Sequence, residues 1–185
     1  MTIAVPKGTE PVAIAVPGIV AFTTTRARGD FNVLGDRPSG DVLQRWLTLQ
    51  DELGVTRFGY AKQVHGNRVV VHNAGWTGWL RVPDADGHLT NTPSTALAVT
   101  LADCVPIFLS HASGMIGLLH AGWRGTSAGI VGRAIEELRF RGVPAHELSA
   151  HLGPAICGKC YEVGPEVIAA VLRRHVASPQ PLDLR

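Results

Sequence analysis

The sequence predicts an α+β domain in which mixed β-sheets are flanked by helices in a layered sandwich. Short apolar runs bounded by Gly, Pro, Asn or Asp recur from residue 12 to residue 152, which is the pattern of strands. Helical periodicity is confined to a few longer stretches. The two do not alternate regularly, so a mixed sheet is favoured over a doubly wound parallel one.

Residues 12–16 and 18–24 read as two short strands separated at Pro17 and Gly18. Ser39 can cap a helix that carries Val42, Leu43, Trp46, Leu47 and Leu53 on one face and stops at Gly54. Strands are expected at 57–62 and 67–72, and a loop over 75–86, where glycine, proline and two tryptophans cluster. Residues 86–90, 96–101, 105–110 and 115–119 follow as strands, the last three close enough in sequence to pair in one antiparallel or mixed sheet. Thr126 or Ser127 can cap a helix ending near Arg141, where Gly142 and Pro144 follow. Residues 148–152 suit another strand, and Pro165 suits the first turn of a helix over 166–175.

Residues 1–185 fit one domain, long enough to bury a core without disulfides. The composition, 45% hydrophobic and 17% charged, is that of a globular protein. A net charge of +2 with no Lys/Arg run argues against nucleic acid or an anionic membrane as partner. No stretch has the ~18 continuous apolar residues of a membrane span, and residues 1–10 lack the pattern of a secretory signal. Three cysteines are too few for a disulfide scaffold, so a cytoplasmic, reducing setting is expected.

Three segments carry the chemistry. They are Lys62-Gln-Val-His65-Gly66, Leu101-Ala-Asp-Cys104-Val-Pro106 and His120-Ala-Gly-Trp-Arg-Gly125. Each sets a potential ligand or nucleophile where a strand-like run meets a turn, the usual place for functional side chains. Two imidazoles and one thiolate suit zinc with its fourth position open. Copper is a possible alternative at nitrogen and sulfur donors. A trinuclear copper oxidase is disfavoured, because it needs His-X-His pairs and the eight histidines include none.

Asp103 can orient a liganding imidazole, act as general base, or simply shape the turn before Pro106. Arg124 can clamp a phosphate beside the following helix start, or form a structural ion pair. Trp123 can stack on a base or pack in the turn, and Gln63 can project near His65 or face solvent. Cys157-Gly-Lys-Cys160 invites a redox or zinc reading. It has no second ligand pair downstream and no thioredoxin-like strand–helix–strand context, so both cysteines are expected to be structural.

These motifs, with Thr24-Thr-Arg26, Gly153-Pro-Ala-Ile156 and Cys160-Tyr-Glu-Val-Gly164, span nearly the whole chain. In that order they resemble the laccase-domain family, the YfiH/PgeF-type purine nucleoside phosphorylases formerly described as multicopper polyphenol oxidase-like. The resemblance implies a fold related to the cytotoxic necrotizing factor catalytic domain. It implies a zinc site of His65, Cys104 and His120. It also implies a cytoplasmic enzyme that phosphorolyses adenosine, inosine and methylthioadenosine, with adenosine deamination as a second activity. Some members are linked to editing of peptidoglycan precursors.

Two departures accompany the resemblance. The stretch Arg26–Asn32 is compressed, so one pocket wall is expected to differ. The chain ends at Pro181–Arg185, where family members usually continue, so a single domain lacking the usual C-terminal segment is expected. On this reading the catalytic candidates are Cys104, His65, His120 and Asp103, and the substrate-binding candidates are Arg124 and Gln63. The competing reading is a metal-free cysteine hydrolase, or a peptidoglycan-precursor editing enzyme, using Cys104 as nucleophile and a histidine as base.

Overall fold

The structure is a computed structural model that describes residues 4–33 and 35–176, with side chains described as far as Arg173. The Pro181–Arg185 end lies outside them. The fold is α+β, with three sheets and four α-helices among the described residues. β1 (Thr9–Val12) and β2 (Ala21–Thr24) form an antiparallel ribbon. α1 (Ser39–Leu53) leads to β3 (Arg57–Ala61), β4 (Val69–Val71) and β5 (Gly78–Val82). β6 (Gly87–Thr90), β7 (Thr95–Leu97), β8 (Val105–Ser110) and β9 (Ile116–Ala121) follow. The chain then runs through α2 (Trp123–Ala128), α3 (Ile130–Phe140), β10 (Ser149–Leu152) and α4 (Pro165–Val176).

Strand order is β10-β8-β9-β6-β4 in a mixed five-stranded sheet and β5-β3-β7 in a parallel three-stranded one. Each sheet buries a helix. α3 lays Ile130, Ala134 and Leu138 on Leu89, Ile107, Leu109 and Leu119 of the larger sheet. α1 lays Val42, Trp46 and Leu49 on Phe58 and Tyr60 of the smaller one, and Phe31 closes the cluster. The predicted apolar face of α1 is therefore half right. Val42 and Trp46 are buried, while Leu43 and Leu47 stand 39% and 37% exposed at its margin. Trp46 anchors this second core. Its ring packs on Phe31 and Phe58 at 4.8 and 5.3 Å, and its Nε1–H donates to the Phe31 carbonyl at 3.0 Å, which removes the cost of burying an indole donor.

Three expectations are corrected. Residues 78–82, expected in a loop, form β5. The Gly and Pro around them hide a strand that pairs with β3 along its whole length, with Trp79 near Tyr60 and Trp46. β7 joins β3, not the sheet of β8 and β9. The helix expected from Thr126 begins at Trp123 and breaks at Gly129, whose left-handed φ of 82° ends α2 and starts α3. Among the described residues no helix is long and apolar enough to cross a membrane.

Candidate metal centre

β8 and β9 pair antiparallel with Val105 opposite Ala121 and Pro106 opposite His120. Extending that register by one residue sets Cys104 against Gly122. His120 lies inside β9, not after it. His65 comes from the link that leaves β3 of the smaller sheet for β4 of the larger one. The Nδ1/Nε2 and Sγ atoms of His65, Cys104 and His120 all lie within 4.8 Å of one another. Two ligand bonds of about 2.1–2.3 Å bridge up to ~4.4 Å, so small side-chain rotations bring all three onto one ion.

Asp86 organises this cluster, although it belongs to none of the three motifs. It is fully buried and sits across from His120 on the neighbouring strand. The His120 N–H donates to the Asp86 carbonyl at 2.7 Å. Asp86 Oδ1 lies 2.8 Å from His120 Nδ1 and accepts the His65 N–H at 2.9 Å. Oδ2 accepts the N–H groups of Gly66 at 2.8 Å and Val64 at 3.2 Å. Burial alone would raise the Asp86 pKa. The His120 imidazole and the N–H groups of Gly66, Val64 and His65 outweigh it and hold the carboxyl below its ordinary value. An ionised carboxylate only accepts, so His120 Nδ1 carries the proton and Nε2 keeps its lone pair for a metal. The same carboxylate accepts the N–H of His65 while that residue sits in the left-handed region, at φ 59°, a conformation uncommon for a non-glycine residue.

Of the remaining site candidates, Asp103 and Gln63 line the cavity that reaches the ligand cluster and Arg124 does not. Asp103 is exposed, and His120 is oriented by Asp86. Gln63 donates to the Thr100 carbonyl at 2.8 Å and accepts the Thr100 N–H at 2.7 Å, which braces the loop before Cys104. Arg124 is exposed and stacks over Trp123, 4.5 Å from the ring centroid. That cavity has a volume of about 1180 Å³, with His65, Cys104 and His120 on its wall. Arg26 and Lys62 line it as well. The Cys157–Cys160 turn, expected to be structural, is exposed, and both thiols are free.

The donor set fits a thiophilic divalent ion. It offers one sulfur and two nitrogens, a fixed tautomer on one imidazole, and a backbone that approaches closely at Gly122. A Cβ on Gly122 would stand 2.9 Å from Cys104 Sγ and 3.1 Å from His65 Cδ2. Gly122→Ala keeps an ordinary backbone conformation, φ −78°, so the expected result is selective. Metal affinity falls at least ~10-fold while the thermal midpoint moves little. Isothermal titration with zinc alongside a melting curve checks this, and an unchanged affinity contradicts it.

Residues 28–183 match the family model described as multi-copper polyphenol oxidoreductase laccase. A purine nucleoside phosphorylase of Streptomyces coelicolor is 38% identical over 151 residues, covering 80% of this chain and 60% of its own length. An adenosine deaminase, RL5, from an unknown prokaryotic organism is 32% identical over 182 residues, covering 88% of this chain and 69% of its own. The crystal structure of a Neisseria meningitidis protein superposes with a TM-score of 0.76 at 29% identity, over 92% of this chain and 72% of that one. The chain spans roughly half to two thirds of the length of the curated relatives it matches.

Proposed function

The chain belongs to the multi-copper polyphenol oxidoreductase laccase family, and on that premise we propose that it is a metal-dependent purine nucleoside phosphorylase. Adenosine, inosine and methylthioadenosine are its substrates with phosphate, adenosine deamination is its second activity, and the cytoplasm is its setting. One observation carries this reading: His65, Cys104 and His120 converge on the wall of a cavity large enough for a nucleoside and phosphate. The names of the phosphorylase and deaminase relatives support the substrate class.

His65, Cys104 and His120 would hold a single ion, with zinc preferred. Among the described residues this is the one group of three or more potential ligands, too few donors for a multicopper cluster. Bound there, zinc would supply Lewis-acid polarisation of an oxygen. In phosphorolysis a phosphate oxygen bonds to the ribose C1′ as the glycosidic bond breaks. The base leaves with that electron pair and takes up a proton.

The chain's part is to place the reactants and balance charge. Arg26 and Lys62 are the cationic side chains among the residues lining the cavity, so they take over the phosphate-binding role first expected of Arg124. Asp86 holds the His120 and His65 segments fixed while charge moves. The metal-free cysteine hydrolase is not favoured. Burial, then the Asp103 and Asp86 carboxylates, push the Cys104 thiol above its ordinary value, opposite to what an unassisted nucleophile needs.

Elemental analysis with assays of free-base release tests the reading. Wild type is expected to bind one zinc and release hypoxanthine from inosine only with phosphate present. Cys104→Ser is expected to lose the metal and at least ~100-fold of turnover. A metal-replete protein that releases no free base from any purine nucleoside would sink the phosphorylase assignment.

A further inference from the structure

The Cys157–Cys160 turn lies outside the machinery just described and carries its own chemistry. The two Sγ atoms stand 3.2 Å apart in hydrogen-bond contact, and both residues are exposed. The turn holds them together: the N–H groups of Cys160 and Tyr161 both donate to the Cys157 carbonyl, at 2.9 and 3.1 Å. A Cβ at Gly158 would meet nothing within 4 Å, so the turn is open at that residue as well as at the two exposed cysteines.

The two sulfurs are not equivalent. The Cys160 side chain, then the backbone N–H groups of Lys159 and Cys160, lower the Cys157 pKa, while the same contact raises that of Cys160. One sulfur is thus favoured as thiolate, with a thiol in reach to resolve its adducts. A structural metal needs four protein ligands. Among the described residues the pair joins no group of three or more His, Cys, Asp or Glu side chains able to hold an ion.

We propose that Cys157 and Cys160 form a thiol–disulfide exchange site that is oxidised by small-molecule disulfides. The Cys157 thiolate attacks one sulfur of the disulfide RSSR, forms a mixed disulfide and expels RS⁻. Cys160 then attacks Cys157 Sγ, gives up its proton and expels the second thiolate. The sum is protein dithiol plus RSSR giving protein disulfide plus two RSH, with the small disulfide reduced and the protein oxidised by two electrons. The site borders the proposed metal centre, because the Ile156 N–H donates to the Asp103 carbonyl at 3.1 Å, one residue before Cys104. The exchange chemistry does not depend on the nucleoside reading.

The purified chain is incubated without air in oxidised glutathione, quenched in acid, alkylated with N-ethylmaleimide and mapped by mass spectrometry. A Cys157–Cys160 bridge is expected, with Cys104 alkylated, and dithiothreitol should reverse it. Cys160→Ser should stop at a glutathione adduct on Cys157. Cys157→Ser should form its adduct on Cys160 at least ~10-fold more slowly. Both substitutions are at exposed positions, and matching circular dichroism spectra establish that the variants are folded. The proposal is overturned if both thiols remain alkylatable after exhaustive incubation, if stable adducts form without a bridge, or if the bridge runs to Cys104. It is equally overturned if stoichiometric zinc protects Cys157 and Cys160 of the reduced protein from alkylation, which would assign the pair to a metal.

Discussion

Asp86→Ala is expected to weaken metal binding by at least 10- to 100-fold and to destabilise the metal-free protein by roughly 3–5 kcal/mol. The carboxylate accepts from three consecutive backbone N–H groups and from the His120 ring. Removing it strands four donors in a place that water reaches poorly. Each orphan costs on the order of 1–3 kcal/mol, partly relieved by relaxation. The metal loses more than stability alone would take. His120 is freed to change tautomer or rotate, and the turn carrying His65 loses the acceptor of its N–H groups. Asp86→Asn should fall between, since its amide keeps one accepting oxygen but turns an NH₂ toward donors. Zinc titration and denaturant unfolding of the metal-free variants read the two effects separately. Unaltered zinc affinity in Asp86→Ala would contradict the account of the site.

Acid is expected to weaken the fold above the pH at which carboxylates protonate. His72 Nε2 and His88 Nδ1 lie 2.8 Å apart, and the rings are buried at 2% and 0% exposure. Neither His72 Nδ1 nor His88 Nε2 has a hydrogen-bond partner, so an added proton gains no compensating contact. Burial, reinforced by the charge on His72 and opposed by Asp86, takes the His88 pKa from 6.5 down to about 3. Burial lowers that of His72 as well.

The sign follows from the depressed folded-state values. Above pH 6.5 both states leave the ring neutral and its contribution to stability is complete. As pH falls from 6.5 toward about 3 only the unfolded chain takes up the proton, and stability drains away. For His88 alone that difference amounts to roughly 4–5 kcal/mol. Asp86, also depressed, adds its own loss only below its ordinary value of 3.8. The interval between pH 6.5 and 4 therefore belongs to the histidines. Urea midpoints measured across it should drop steeply in wild type and much less in His88→Leu. Parallel curves would remove the histidine pair as the cause.

How far the sequence carries the fold depends on whether the information is local. β8 coincides with its expected span, 105–110, because the apolar run Val105–Leu109 after Cys104 has no competing period. β5 was hidden because what makes 78–82 a strand is its pairing with β3, some twenty residues earlier. The helix start moved to Trp123 because the strand turn at Gly122 supplies the cap, and no side chain signals that.

The candidate site divides along the same line. His65, Cys104 and His120 stand out from their motifs. Asp86 does not, since its partners at 64–66 and 120 are distant in sequence. The one local signal is a carboxylate leading into a strand, Asp86-Gly-His-Leu-Thr90, and a buried charge of that kind calls for hydrogen-bonding partners. Asp103, adjacent to Cys104 in sequence, drew the orienting role that folding gives to Asp86.

The three donors do not share a sheet. His65 lies in the link that crosses from β3 of the smaller sheet to β4 of the larger one, and Asp86 pins that link beside His120, whereas Cys104 and His120 belong to the larger sheet and its margin. Spreading or flattening the donor triangle therefore requires the crossing link to pull away from the Asp86 carboxylate that pins it. Discrimination between ions of differing preferred shape is in this sense a mechanical property of the crossover between the sheets, set by how firmly one carboxylate clamps it.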